Sequence, residues 1–475
     1  MHAFERNLPK IRLGAALTAA LLLSGCAVGP DYLRPSYWFP EQHKEAVPEA
    51  RAEAPINPQW WTLFGDADLN NLEQQALDAN QDLQAAIARL ERAEAVAREA
   101  GADYLPSATL GVNSARNQIS GETFSGRNTG QATYNNTRAA ASLSYELDLW
   151  GRIRRNNEAA RADALASRFG RDTVRLTLTG QVANEYLALR SLDAQLEVTQ
   201  DTLASREKAL QIVKARVDAG SAGALEQSQA ESARAAAQAQ WNQLRRQRAI
   251  SENQLGLLTG QPGLKIAAAN LDKLPLPPTP PVGVPSSLLD ARPDVRQAEE
   301  TLIAANARIG VAKAAYYPTI SLTGLYGGES MALAKLFDGS AGIWSAALGL
   351  SMPIFDAGRT GARVDQATAS QKESLANYRK TMQTAFKEVN DALVSLKEYA
   401  DEESANNAQV VAARRAQELA QTRYEAGYSG FMELLDAQRT TNTAQLSYLA
   451  SRKNRLGAAV DLFKALGGGW LPTGS

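Results

Sequence analysis

The chain is poor in the residues on which hydrolases and metalloproteins most depend. Its 475 residues include one cysteine, Cys26, and two histidines, His2 and His43. A single cysteine excludes an intrachain disulfide and any Cys-based metal site. So few histidines leave no basis for Ser-His or Cys-His catalysis or for a His-cluster metal centre. His43 stands among Pro40, Glu41, Lys44 and Pro48, a polar and solvent-exposed setting. Charge of one sign is lacking too: 50 basic residues face 51 acidic ones. That balance indicates neither nucleic acid nor a strongly acidic ligand. The chain has no Walker-type Gly-Lys-Ser/Thr loop, so any driving energy comes from elsewhere. It also has no paired-carboxylate motif near a Gly-rich loop. These absences argue against an enzyme.

Long apolar runs are missing as well. Residues 13–23 form an apolar stretch too short to span a membrane as a stable helix. Arg6, Lys10 and Arg12 precede or open it, and Leu23-Ser24-Gly25-Cys26 ends it. Residues 1–25 therefore read as a signal peptide ending in a sequence like a bacterial lipobox. Cleavage before Cys26 is expected, with S-diacylglycerol on its sulfur and an N-acyl chain, such as palmitate, on the new amine. No other cofactor is expected. The signal region holds three basic residues and one acidic, so the mature chain carries 47 minus 50, or −3.

What the chain does have is one long pattern written twice, 207 residues apart. Arg216 and Gly220 answer Arg423 and Gly427, Gly151-Arg152 answers Gly358-Arg359, and Gly260 answers Gly467. Glu226 and Glu433, and Ala230 and Ala437, keep the same offset. A duplicated supersecondary unit of this kind builds an extended array with little room for a catalytic pocket.

Residues 26–68 begin as a proline-rich lipidated segment and end with Trp60-Trp61-x-x-Phe64. Asp66 or Asp68 is placed to cap a first helix over 69–103. The first repeat covers 69–260, with strands at about 106–117 and 137–148 and a helical hairpin over about 156–259. A linker, 261–285, is rich in proline and cannot be helical. The second repeat covers 286–467, with strands at about 318–327 and 342–353 and a hairpin over about 360–466. Residues 468–475 form the tail. Proline is absent from both hairpins. Their first helices are expected to reach about 90 and 100 Å at about 1.5 Å per residue, lengths that need coiled-coil packing. Gly220 and Gly427 are placed to end them.

In the strands, apolar and small polar residues alternate. Ala108, Leu110 and Val112 oppose Ser107, Thr109 and Asn113. Residues 114–136 are rich in Gly, Asn, Ser and Thr and read as a loop. Ala139, Ala141, Leu143, Tyr145 and Leu147 oppose Arg138, Ser142, Ser144 and Glu146. The second repeat alternates likewise, with Trp344 and Tyr145 on the lipid face. Segments of this length suit tilted membrane strands. Four strands cannot close a barrel, and open edges in lipid leave backbone groups unsatisfied. The chain must borrow strands from copies of itself. An eight-stranded barrel fills with side chains, so a small polar lining favours twelve strands from three copies. The fold class is thus mixed α+β: a shared transmembrane β-barrel continued by a long α-helical periplasmic barrel.

Several stretches resemble one family in joint order along essentially the whole mature chain. They are Cys26-Ala-Val-Gly-Pro-Asp-Tyr32, Trp60-Trp61-x-x-Phe64, Tyr145-Glu-Leu-Asp-Leu-Trp-Gly-Arg152, Arg292-Pro-Asp-Val-Arg296-x-Ala-Glu299, Tyr317-Pro-Thr-Ile-Ser321, Leu434-Leu-Asp-Ala-Gln-Arg439 and Lys464-Ala-Leu-Gly-Gly-Gly-Trp470. They resemble the TolC-like outer membrane efflux family, in its OprM/NodT lipoprotein branch. The resemblance implies a homotrimeric exit duct in the cell outer membrane, extending into the periplasm. Its partners would be a periplasmic adaptor and an inner-membrane pump, commonly of the resistance-nodulation-division type. Its cargo would be drugs and other toxic small molecules, which brings antibiotic resistance into view.

No residue is a candidate for covalent chemistry. Asp436, about two turns past Gly427, reads by spacing alone as the i,i+3 partner of Arg439, a local pair of a few tenths of a kcal/mol. The resemblance implies a second role, because matching Asp, Arg and Tyr positions line or lock the periplasmic aperture. Tyr424 is the matching tyrosine, and Asp218 is a candidate partner for it. Arg216, Gly220, Arg423 and Gly427 mark the helix tips, which the resemblance assigns to adaptor docking. Phe431 and Met432 lie beside the second tip as interface, aperture or packing residues. The Arg152, Arg154 and Arg155 cluster reads as a solvated or headgroup-facing surface. A competing reading is a periplasmic coiled-coil lipoprotein adaptor. It fits less well, because an adaptor has one hairpin and this chain has two, each with a strand pair.

Overall fold

The computed structural model describes residues 27–36, 58–123, 133–271, 274–278 and 292–469. The signal peptide, Cys26, His43 and Trp470 lie outside the described residues, as do parts of the linker and the rest of the tail. In chain order the elements are a 3₁₀ turn, Trp60–Phe64; helices α1, Ala67–Ala79, and α2, Gln81–Ala102; strands β1, Ser107–Gln118, and β2, Thr133–Leu147; and helices α3, Arg152–Asp218, and α4, Ala224–Leu258. Then come helix α5, Pro293–Ala314; strands β3, Thr319–Ser330, and β4, Gly342–Ser351; and helices α6, Arg359–Glu425, and α7, Phe431–Ala465. The repeat extends to element length. Helices α3 and α6 have 67 residues each, and α4 and α7 have 35 each. Among the described residues no helix is long and apolar enough to cross a membrane.

The chain divides into two compact units. The first holds residues up to 36, 90–166 and 298–378. Its centre is one antiparallel sheet in the order β1-β2-β3-β4. Leu110 pairs with Ala141, Ala141 with Tyr326, and Tyr326 with Trp344. Side chains alternate across a strand, so this row shares a face. That face is bare: Leu110, Tyr326 and Trp344 are each more than 75% exposed. The opposite face carries the row Thr109, Ser142, Leu325 and Ser345. β1 runs to Gln118 and β2 begins at Thr133, so both strands enter the stretch read as loop. Asn135 and Asn136 pair there with Arg116 and Ala115. Polar residues on both faces erased the alternation that marks a strand.

The β2-to-α3 junction gathers three of the sequence motifs. Trp150 Nε1 donates to Pro318 O at 2.8 Å, and its ring stacks on Tyr317 at 4.8 Å. Asp148 accepts from the backbone N–H groups of Ile153 and Arg154, capping α3. Residues 27–36 lie against this unit. Val28 N donates to Trp150 O at 2.9 Å, Asn306 donates to Pro30 O at 2.9 Å, and Arg34 pairs with Glu299 at 3.0 Å. Gly29 has to be glycine, because a Cβ there would stand 2.5 Å from Gly310 Cα. The arginine cluster is not a free surface. Arg152 pairs with Glu146, Arg154 with Asp148, and Arg155 with Asp31 and Glu158. Charge density at a helix start gave no hint of these carboxylates, one of which lies 124 residues away.

The second unit holds residues 37–89, 167–297 and 379–475. Trp60, Trp61 and Phe64 are buried in its main core, with Leu69, Leu72, Val182, Tyr186, Leu255 and Val460. Trp60 stacks on Phe463 at 5.5 Å. Asp66 caps α1 by accepting from Leu69 N at 2.9 Å. The single helix expected over 69–103 is broken at Asn80. Its side-chain oxygen accepts from Asp82 N and Leu83 N, and its amide donates to Leu258 O at 3.0 Å. The described linker residues are tied down: Arg190 donates to Ala267 O, Arg248 to Ile266 O and Arg452 to Leu274 O. Arg292, buried, pairs with Asp294 and Glu388 and caps α7 through Ala465 O.

Candidate functional site at the helix tips

Two helix turns, α3-α4 and α6-α7, carry the candidate residues. Each first helix ends the same way. Gly220 sits at φ +72° and Gly427 at φ +78°. Gly220 N donates to Val217 O and Ser221 N to Arg216 O; Gly427 N donates to Tyr424 O and Tyr428 N to Arg423 O. This is the Schellman pattern, which satisfies carbonyls that a helix end otherwise leaves bare. Each tip is then strapped by one ion pair at repeat-related positions. Arg216 meets Glu226 at 3.6 Å, and Arg423 meets Glu433 at 3.3 Å.

Tyr424 joins the two tips. Its hydroxyl accepts from Arg216 Nη1 at 2.6 Å and donates to Glu226 Oε1 at 2.9 Å. Its ring packs with Phe431, Val213 and Ala230. Burial and the Glu226 carboxylate hold the phenol above its usual range. The hydroxyl thus ties α6 to α3 and α4, and a cluster of apolar side chains backs it.

Asp218 is not part of this arrangement. It is exposed and has no partner among the described residues; Glu226 takes the position expected of it. The reason is geometric. Asp218, the last residue of α3, is exposed, whereas Glu226 lies in the first turn of α4 within reach of the Tyr424 hydroxyl. Its repeat in Glu433 was a visible signal, but the spacing did not reveal Tyr424 as its partner.

Asp436 and Arg439 pair at 2.7 Å, and both side chains are well exposed. Such a pair adds little stability, roughly a few tenths of a kcal/mol. Phe431 is buried as packing, while Met432 is half exposed. Met432, Asp436 and Arg439 line one cavity of about 480 Å³ between α3, α4 and α7. Sequence reasoning missed two polar ties inside the bundle. Arg206 on α3 donates to Gln438 on α7, and Thr202 donates to Asn442 at 3.1 Å. Arg206 has no counterpart in the repeat, where Ala413 stands, so no pattern marked it.

The family described as outer membrane efflux protein matches residues 72–261 and again 284–468. The toluene efflux pump outer membrane protein TtgF of Pseudomonas putida is 36% identical over 470 residues, covering 96% of both chains. The crystal structure of the Campylobacter jejuni CmeC outer membrane channel superposes with a TM-score of 0.87 at 25% identity, covering 95% of this chain and 96% of that one. The open-state Neisseria gonorrhoeae MtrE outer membrane channel superposes with a TM-score of 0.84 at 31% identity, covering 94% and 99%.

Proposed function

The chain belongs to the outer membrane efflux protein family and is an outer membrane channel that works with partner pump components, and on that premise we propose that three copies close one twelve-stranded barrel as the exit duct of a tripartite system. The observation that carries the reading is the sheet. Among the described residues it has four strands, a bare apolar face and two outer strands with one neighbour each. Unpaired strand edges in hydrocarbon are costly, and closure removes them. Three sheets supply twelve strands, enough for a wet lumen. The small polar face of the sheet would line it. The adaptor reading is set aside, because an adaptor needs no such sheet.

The remaining roles follow from the duct. The tips strapped by Arg216–Glu226 and Arg423–Glu433 are the surface offered to a periplasmic adaptor. The pump behind it is of the resistance-nodulation-division type. Cargo is drugs and other toxic small molecules; the similar Pseudomonas putida protein is named for toluene. Cys26 carries the lipid. Supporting this, Ala27 lies beside Gly151, in the turn between β2 and α3, where a membrane strand would leave the bilayer. Mass spectrometry of the mature amino terminus should find the diacylglyceryl and acyl mass in wild type and lose it in Cys26→Ala.

Asp436, Arg439 and Tyr424 are the aperture residues, with Glu226 and Arg216 as the partners of Tyr424. Planar-bilayer recordings test this. Wild type should insert as a small closed channel, and Asp436→Ala with Arg439→Ala should raise single-channel conductance. Unchanged conductance would return the pair to ordinary helix surface.

A further inference from the structure

Four arginines are buried among the described residues: Arg155, Arg190, Arg206 and Arg292. Three are matched by two carboxylates each. Arg155 has Asp31 and Glu158, Arg190 has Asp68 and Asp193, and Arg292 has Asp294 and Glu388. Arg206 has none. Its one hydrogen-bond partner among the described residues is the amide oxygen of Gln438. The nearest acidic neighbour in sequence, Glu207, pairs with Arg234, and Asp436 pairs with Arg439. A guanidinium has five N–H donors and does not lose its charge in a protein. Burying one without a counter-charge is unfavourable, so such sites are normally paired. Burial weakens the hold of Arg206 on its proton, with no anion to offset it.

Arg206 is 6% exposed, and it lies between two cavities: one of about 280 Å³ that its partner Gln438 lines with Asp201 and Glu418, neither of which pairs with it, and one of about 480 Å³ between α3, α4 and α7. Met432, Leu435, Ala233 and Ala236 supply apolar wall to the larger cavity. Asn442 also lines it, and its carbonyl oxygen is occupied by Thr202, which leaves its amide N–H groups as donors. The rest of the lining is polar, with Ser228, Gln229, Ser232 and Gln240 on α4, so the cavity offers one apolar strip beside many hydrogen-bonding groups, and its size suits a small molecule.

We propose that this cavity binds a small organic anion, a carboxylate on an apolar body, with Arg206 as the missing counter-charge. The site lies within one copy of the chain and does not depend on the duct reading. The carboxylate would take the free donors of Arg206 and the Asn442 amide. The apolar body would lie along Met432, Leu435 and the two alanines. Asp436 and Arg439 share the cavity wall, so an occupant would brace α7 against α3 and α4.

The test is equilibrium dialysis of 4-phenylbutyrate against the full-length protein in nanodiscs of zwitterionic lipid, with empty discs as the blank. The proposal expects saturable retention of one molecule per copy of the chain. Its neutral analogue 4-phenylbutanol should be retained at least tenfold more weakly. Arg206→Gln should weaken 4-phenylbutyrate at least tenfold. Ala236→Phe, at an exposed position on the wall, should do the same by crowding the cavity while Arg206 stays. Three results would overturn the site: no saturable retention above the blank, equal retention of the alcohol, or unchanged retention in both variants. Weakening in Ala236→Phe alone would also overturn it, since Arg206 would not then be the counter-charge.

Discussion

Glu73 is a residue whose charge the fold opposes. It is fully buried in α1, and neither carboxylate oxygen has a hydrogen-bond partner among the described residues. Burial pushes its carboxyl well above the usual carboxylate range. The folded state then holds the proton more tightly than the unfolded chain does. Stability from this group is complete below about pH 4.3, the unfolded value, and falls as pH rises through the folded pKa. Glu73→Gln keeps the shape and removes the ionisation. The variant should melt at a higher temperature than wild type at pH 8 and differ little from it at pH 4. A lower melting temperature at pH 8 would mean that the carboxylate has a favourable role that its surroundings do not show. Trp60 makes a second prediction of the same scale. It is 1% exposed and stacked on Phe463, so Trp60→Ala should cost about 3–5 kcal/mol. Thermal melts would register that loss as an early transition.

The tips make predictions at the scale of elements. Tyr424→Phe keeps the ring in its cluster and removes both hydroxyl bonds that tie α6 to α3 and α4. Hydrogen exchange at Arg216–Gly220 and Arg423–Gly427 should quicken, with the strand amides unchanged. Gly427→Val forces a branched side chain into φ +78° and should cost about 1–2 kcal/mol or more at that turn alone. Exchange confined to the tip would show it; a loss spread over the sheet would contradict the local account. These tips were legible in the sequence because a left-handed helix end leaves a glycine behind, and the repeat showed it twice. The long helices were legible because proline is absent from them. Other features were not. Asn80 breaks a helix through a contact with Leu258, 178 residues away. The Tyr424–Glu226 bond spans 198 residues, and no local spacing announces it. β2 began early because its first residues are polar on both sides, leaving no period to read.

Among the described residues the sheet is four strands wide, apolar on one face and open at both edges. Helices satisfy their own backbone groups, but a sheet in lipid must close. In the proposed duct, copies of the chain supply each other's missing neighbours, and lumen and aperture depend on that closure. The most direct measurement is the protein mass of the detergent-extracted particle, by light scattering corrected for bound detergent. The account predicts three copies per particle, recovered from the outer membrane. A single copy that stays in solution without detergent once its lipid is removed would contradict the shared barrel and bring the adaptor reading back.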